Sequence, residues 1–154
     1  MDWITPNIAL GDWTDAQSMP RDGVDRVLNV AREVPVEHAL PCLHINLIDG
    51  YPIAPDVFKK AFVYLAKGDT KGKKTLVHCA VGHSRSAAIV AMYLAIKYKT
   101  SFDQALAFVK SKRPGVDPAH DLIKSARKFV ADSVKQTSPI VENVAIRMPE
   151  IIDV

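Results

Sequence analysis

His78-Cys79-Ala80-Val81-Gly82-His83-Ser84-Arg85-Ser86 follows a short apolar run, 75–79, and leads into 87–97, a stretch that is apolar almost all round. The run before it reads as a strand and the stretch after it as a buried helix. Between a strand end and a helix start, unpaired backbone N–H groups and the helix dipole make a natural place to hold an anion. Five residues separate Cys79 from Arg85, enough chain to curl round a tetrahedral anion and turn several N–H groups toward it. Gly82 gives that curl its backbone freedom. Arg85 can grip two oxygens with its planar fork. The positive field at the loop floor favours the thiolate of Cys79 over the thiol, and the thiolate is the attacking form. Ser86 is placed to donate to the sulfur. His78 is expected to hold loop carbonyls and Ser84 to pin the loop backbone. Ala80, Val81, Gly82, His83, Ser84 and Arg85 are the expected anion-binding set, with His83 outward on the rim.

Working outward, 8–10, 24–30 and 42–48 read as further strands. Pro55 opens a helix that Gly68 is expected to close, with Val57, Phe58, Ala61, Phe62 and Leu65 at helical spacing. A short helix is expected over 15–19. Ser101 and Gln104 form a capping box for a helix to about 112. Asp117-Pro118 is expected to cap a last helix to about 131. Strands alternating with helices predict an α/β fold with a central, mostly parallel sheet of four to five strands flanked by helices. Residues 1–135 read as one domain and 136–154 as a C-terminal extension, in which 140–148 suits either a strand or an extended arm.

The string from Val77 to Ser86 resembles the signature of the protein tyrosine phosphatases, and its Ser-Arg-Ser ending resembles the dual-specificity branch, in its compact atypical form. Asn7-Ile8-Ala9-Leu10-Gly11 and Val27-Leu28-Asn29-Val30-Ala31 resemble that family's opening strands. Lys112-Arg113-Pro114 falls where its members carry an Arg-Pro pair. The resemblance spans about 3–131. It implies a protein tyrosine phosphatase-like fold and hydrolysis of phosphotyrosine, phosphoserine and phosphothreonine through a phosphocysteine intermediate. Cys79 would be the nucleophile, Arg85 the phosphate clamp and Ser86 the aid to thiolate departure. It also implies a general acid in the segment after the 42–48 strand. Asp49 is the first candidate; Asp56, in the first turn of the 55–67 helix, is the competitor. Asn29 suits either a hydrogen bond to the loop or an ordinary strand-end role.

Phosphoinositide phosphatases of this superfamily often carry lysines in the loop; Ala80, Val81 and His83 stand there instead and disfavour polyphosphorylated lipids. The chain lacks the length of the tyrosine-specific enzymes' insertions, so a shallow pocket is expected. RNA 5′-phosphate, glycan and small-molecule phosphates remain alternative substrates. A non-catalytic phosphate-binding module is a further reading, although Cys79, Arg85 and Asp49 are all present. A rhodanese-like sulfurtransferase would have no use for Asp49 or the Ser-Arg-Ser ending.

The 154 residues carry a net charge of +3, with 48% hydrophobic and 24% charged positions. That is ordinary for a globular domain, and no basic block suggests nucleic-acid binding. His38, His44 and His120 have no metal-ligand spacing, so no metal or other cofactor is expected. Cys42 reads as a small core residue, with a reversible disulfide to Cys79 as the alternative. No signal peptide and no run long enough to span a membrane is visible. A cytoplasmic monomer acting on a phosphoprotein partner, without nucleic acid or membrane, is the expectation.

Overall fold

A computed structural model describes residues 1–36 and 38–135. The strand-or-arm expectation for 140–148 lies outside them. The elements run β1 (Asp2–Thr5), β2 (Ile8–Gly11), α1 (Trp13–Gln17), β3 (Arg26–Asn29), β4 (Cys42–His44), α2 (Pro55–Thr70), β5 (Thr75–His78), α3 (Arg85–Lys97), α4 (Phe102–Lys112) and α5 (His120–Lys135). The five strands form one sheet in the order β1-β2-β5-β3-β4. β2, β5, β3 and β4 are parallel, and β1 adds an antiparallel edge to β2. The expected mostly parallel α/β sheet is therefore present.

The pleat sorts side chains to the two faces. Ile8, Leu10, Leu28 and Val77 point into the larger core, with α2, α3, α4 and α5; Ala9, Val27 and Leu76 point into the smaller one, with Ala16 of α1. α3 is buried from Arg85 through Ala95. A helix with apolar residues on every side is stable only when surrounded, and α2, α4, α5 and the sheet surround it. Truncating a fully buried residue there, such as Ile89→Ala, costs about 2–5 kcal/mol.

Several expected boundaries move. β4 ends at His44, not near 48, because the chain leaves the sheet to carry Leu47 and Asp49 toward the end of β5. α1 starts two residues early, on a capping box between Asp12 and Asp15. α2 runs through Gly68 to Thr70; glycine is used there because a Cβ would run into the Arg26 guanidinium, not because the helix ends. Asp117-Pro118 does not cap α5, which begins at His120. The Asp117 amide donates instead to the His83 carbonyl at 2.8 Å. β1, which the sequence reading lacks, is four residues long and pairs only through a tight return at Pro6-Asn7.

Candidate active site

The loop leaves the sheet at the carboxyl end of β5, the central strand, where parallel α/β sheets place their ligands. Cys79 is almost fully buried at its floor. The Cys79 sulfur lies 3.1 Å from Ser86 Oγ and accepts the Gly82 amide at 3.3 Å. Gly82 has φ +80°, and a Cβ there would meet the Gly11 carbonyl, so the curl admits only glycine without rearrangement. His78 is buried, and its Nδ1 donates to the Cys79 carbonyl at 3.1 Å. Burial pushes its imidazole below the usual range, which keeps it neutral in this role.

The rim is stitched from outside. Ala80 O accepts the Trp13 amide at 3.0 Å. Val81 is exposed. Arg113 donates from Nε to Gly82 O at 3.0 Å and from Nη2 to Val81 O at 3.2 Å, while its Nη1 pairs with Asp2 at 2.8 Å. The His83 ring lies over Gly115, where a Cβ would sit 2.7 Å from its Nε2, so it is half-buried and not free on the rim.

Arg85 is the first residue of α3, and its side chain is only 6% exposed. Nη1 donates to Glu33 Oε1 at 2.6 Å and to Leu47 O at 3.0 Å, and Nη2 donates to Glu33 Oε2 at 2.6 Å. Nε is buried with no hydrogen-bond partner. A guanidinium has five N–H bonds. Three are committed, and Nε–H with the remaining Nη2–H form a free edge of two parallel donors. That edge matches two oxygens of a tetrahedral anion. The Arg85 hydrogen bonds hold the Glu33 carboxyl down at about 2, so the pair is ionised at neutral pH.

Glu33 carried no signal in the sequence reading. It lies on the turn after β3, and Asn29 builds that turn by donating from Nδ2 to Val34 O at 2.7 Å and accepting the Ala31 amide at 2.9 Å. The Asn29 side chain therefore bonds its own turn, while its backbone pairs with His78 in the sheet.

Asp49 is exposed, and its Oδ1 accepts the Ser84 hydroxyl at 2.7 Å. Asp56 lies in the first turn of α2. The carboxylate brought to the loop is thus that of Asp49. Ser84 does more than pin the loop: its Oγ also accepts the Ala119 amide at 3.0 Å.

Cys42 and Cys79 are both free thiols. Cys42 pairs with Val27, which pairs with Leu76. Cys79 is three residues further along and two strands away, about 14 Å from Cys42 by strand geometry. A disulfide needs Cα atoms within about 7 Å, so Cys42 and Cys79 do not pair in this arrangement and could be bridged only by a backbone movement. Among the described residues there is no cluster of His, Cys, Asp and Glu able to hold a metal, and no helix long and apolar enough to cross a membrane.

The family model for the dual specificity phosphatase catalytic domain matches residues 8–131. The chain is 32% identical over 123 residues to dual specificity protein phosphatase 16 of Homo sapiens, covering 75% of this chain and 18% of that protein. It is 30% identical over 129 residues to the putative tyrosine phosphatase 123R of Invertebrate iridescent virus 6, covering 82% of this chain and 89% of that one. It spans a quarter or less of the length of several other relatives, among them the protein phosphatase Slingshot homolog 3 of Mus musculus, 28% identical with 96% of this chain and 24% of that protein covered. Among solved structures it resembles a mouse putative dual specificity phosphatase (TM-score 0.81, 25% identity, 88% of this chain and 89% of that one). The fold also matches human DUSP28 (TM-score 0.82, 24% identity, 89% of this chain and 100% of that one).

Proposed function

The chain belongs to the dual specificity phosphatase family, and from that premise we propose that it hydrolyses phosphotyrosine, and phosphoserine and phosphothreonine, in protein substrates through a phosphocysteine intermediate. The observation that carries this reading is the free donor edge of Arg85, beside a loop floored by the Cys79 sulfur. Residues 1–135 are the catalytic domain in this reading.

The chemistry uses this chain's own groups. The Arg85 edge and the backbone N–H groups of Ala80, Val81, His83 and Ser84 hold the non-bridging oxygens of the phosphoryl group, while the Gly82 N–H stays on the Cys79 sulfur and Gly82 serves the site through its turn. The Cys79 thiolate attacks phosphorus. An S–P bond forms, the ester P–O bond breaks, and the departing oxygen takes a proton from Asp49. Water then attacks the phosphocysteine and gives its proton to Asp49. The S–P bond breaks, inorganic phosphate leaves, and Ser86 Oγ donates to the sulfur as its negative charge returns. His78 holds the Cys79 carbonyl and takes no part in proton transfer. The exposed, uncharged Val81 supports a protein substrate over a polyphosphorylated headgroup, which would call for cations on the rim.

Cys79→Ser is expected to reduce hydrolysis of p-nitrophenyl phosphate to the level of the blank while the thermal midpoint stays near that of the parent. Turnover close to the parent rate would remove Cys79 as nucleophile. The Cys79→Ser protein, offered matched phosphotyrosine, phosphoserine and phosphothreonine peptides, then ranks the substrates by binding.

A further inference from the structure

The acid and the loop are joined by a hydroxyl that accepts a backbone N–H on one side and, toward the ionised carboxylate, donates on the other. A backbone N–H can only donate, so the Ala119 amide at 3.0 Å occupies a lone pair of Ser84 Oγ. The serine's single hydrogen then points to Asp49 Oδ1, 2.7 Å away. The Gly50 amide donates to the same Oδ1 at 3.1 Å. A proton on Oδ1 would displace the Ser84 hydrogen from its 2.7 Å hydrogen bond and leave Oδ1 still accepting the Gly50 amide, so the proton is better placed on Oδ2. We infer that Ser84 is a positioning residue for the acid, taking the Ala119 N–H, giving its own hydrogen to Asp49 Oδ1, and so leaving Oδ2 as the oxygen that passes the proton to the leaving group. This rests on the reading of Asp49 as the acid and adds which oxygen works and what aims it.

The rest of the neighbourhood fits. Asp49 is exposed, on a segment that has left the sheet, so a side-chain contact has to fix it. The chain leading into α5 is fastened to the loop at two adjacent residues, by the Asp117 amide on His83 O and the Ala119 amide on Ser84 Oγ. α5 also holds the far end of the acid segment, where Ser125 Oγ accepts the Ile53 amide at 3.2 Å. The acid's aim is thus set by an element about 70 residues away in the chain. Substrate oxygens meet the backbone of Ser84, while its side chain faces the acid.

The test is the dependence of kcat/KM on the leaving group. Parent, Ser84→Ala, Ser84→Thr, Asp49→Asn and the Ser84→Ala/Asp49→Asn double variant are compared on p-nitrophenyl phosphate, whose leaving group departs readily, and phenyl phosphate, whose leaving group needs the proton. Ser84→Ala is expected to lose about 10-fold more on phenyl phosphate than on p-nitrophenyl phosphate, a part of the roughly 10²–10⁴ that a positioned acid supplies. Ser84→Thr restores the ratio. Adding Ser84→Ala to Asp49→Asn brings no further discrimination. An equal loss on both substrates, or a Ser84→Ala discrimination that persists without the Asp49 carboxylate, overturns the inference and leaves Ser84 as loop scaffolding. An Asp49→Asn enzyme that does not discriminate overturns the acid assignment itself. If Ser84→Ala fails to fold, Ser84→Cys, a weak donor of similar size, makes the same comparison against Ser84→Thr.

Discussion

The two ends of α3 carry the same kind of contact and use it differently. At the C-terminal end, Lys97 pairs with Asp69 of α2 at 2.5 Å; at the N-terminal end, about 18 Å away, Arg85 pairs with Glu33 at 2.6 Å. Asp69 is 9% exposed and also accepts Tyr93 Oη at 2.6 Å and Asn7 Nδ2 at 3.1 Å. Three donors surround that carboxylate, and the lysine sits where a helix dipole favours a cation. At the other end a cation occupies the dipole's positive pole, its partner Glu33 is 57% exposed, and a buried Nε–H has no partner. Similar distances therefore conceal opposite jobs. The Lys97 end is closed on itself and joins α2, α3 and the Asn7 turn; the Arg85 end keeps positive charge and two uncommitted donors beside the loop, an arrangement that favours an arriving anion.

Exchanging the two losses gives the largest contrast. Arg85→Ala is expected to lower kcat/KM by roughly 10³-fold, as loss of a principal transition-state donor does, with little change in thermal midpoint. Lys97→Ala should do the reverse, lowering the midpoint by several degrees and leaving kcat/KM within about 2-fold. Steady-state kinetics and a melting curve on each variant decide it. A Lys97→Ala enzyme that loses activity in step with Arg85→Ala would mean that the two ends are coupled through the helix.

Next comes the closed end's pH dependence. Burial raises the Asp69 pKa, but hydrogen bonds from Lys97, Tyr93 and Asn7 more than offset it, so the folded value lies below the ordinary 3.8. A depressed acid stabilises the fold fully above its unfolded value and loses that contribution as pH falls through the folded one. Burial lowers the Lys97 pKa, but the Asp69 hydrogen bond more than offsets that too, so it lies above the ordinary 10.5 and its contribution fades only as pH rises beyond that value. The pair should therefore support the fold from about pH 4 to 10. Asp69→Asn is expected to cost about 1–3 kcal/mol across that window, with the variant and parent stabilities converging in acid. Denaturant titrations at pH 7 and pH 3 check this; an equal deficit at both would show that the loss is one of packing and not of charge.

The same division explains what could be read from the sequence. The strand, loop and α3 were legible because their evidence is contiguous: an apolar run, a glycine where φ turns positive, and an arginine at a helix start. The Ser101–Gln104 capping box was legible for the same reason and is present as expected. Glu33 was not, because it meets Arg85 across 52 residues and only after Asn29 has bent the turn that carries it. Arg113 stands out in the sequence as half of an Arg-Pro pair, yet its grip on the Val81 and Gly82 carbonyls depends on where α4 ends. β1 escaped because an antiparallel edge four residues long has too few positions to show an alternation.

Glu33→Gln gives the smallest effect and the sharpest separation of the two ends. Its folded carboxyl lies at about 2 against an ordinary 4.5, so the Arg85 pair is intact above about pH 4.5 and is lost as pH falls toward 2. Because Glu33 is more than half exposed, solvent screens its contribution to stability, and the thermal midpoint at neutral pH should move by no more than about a degree. Its effect falls on Arg85 instead. The carboxylate holds the Nη1–Nη2 edge and so leaves the Nε–Nη2 edge uncommitted. Glutamine keeps the shape but offers one acceptor oxygen and no charge, leaving the guanidinium free to rotate about its last bonds. The expected result is a KM for p-nitrophenyl phosphate raised about 10-fold, equivalent to about 1.4 kcal/mol, with kcat less affected. An unchanged KM would show that Leu47 O and the loop orient Arg85 without Glu33; a midpoint falling as far as in Asp69→Asn would show that the open end carries structural weight after all.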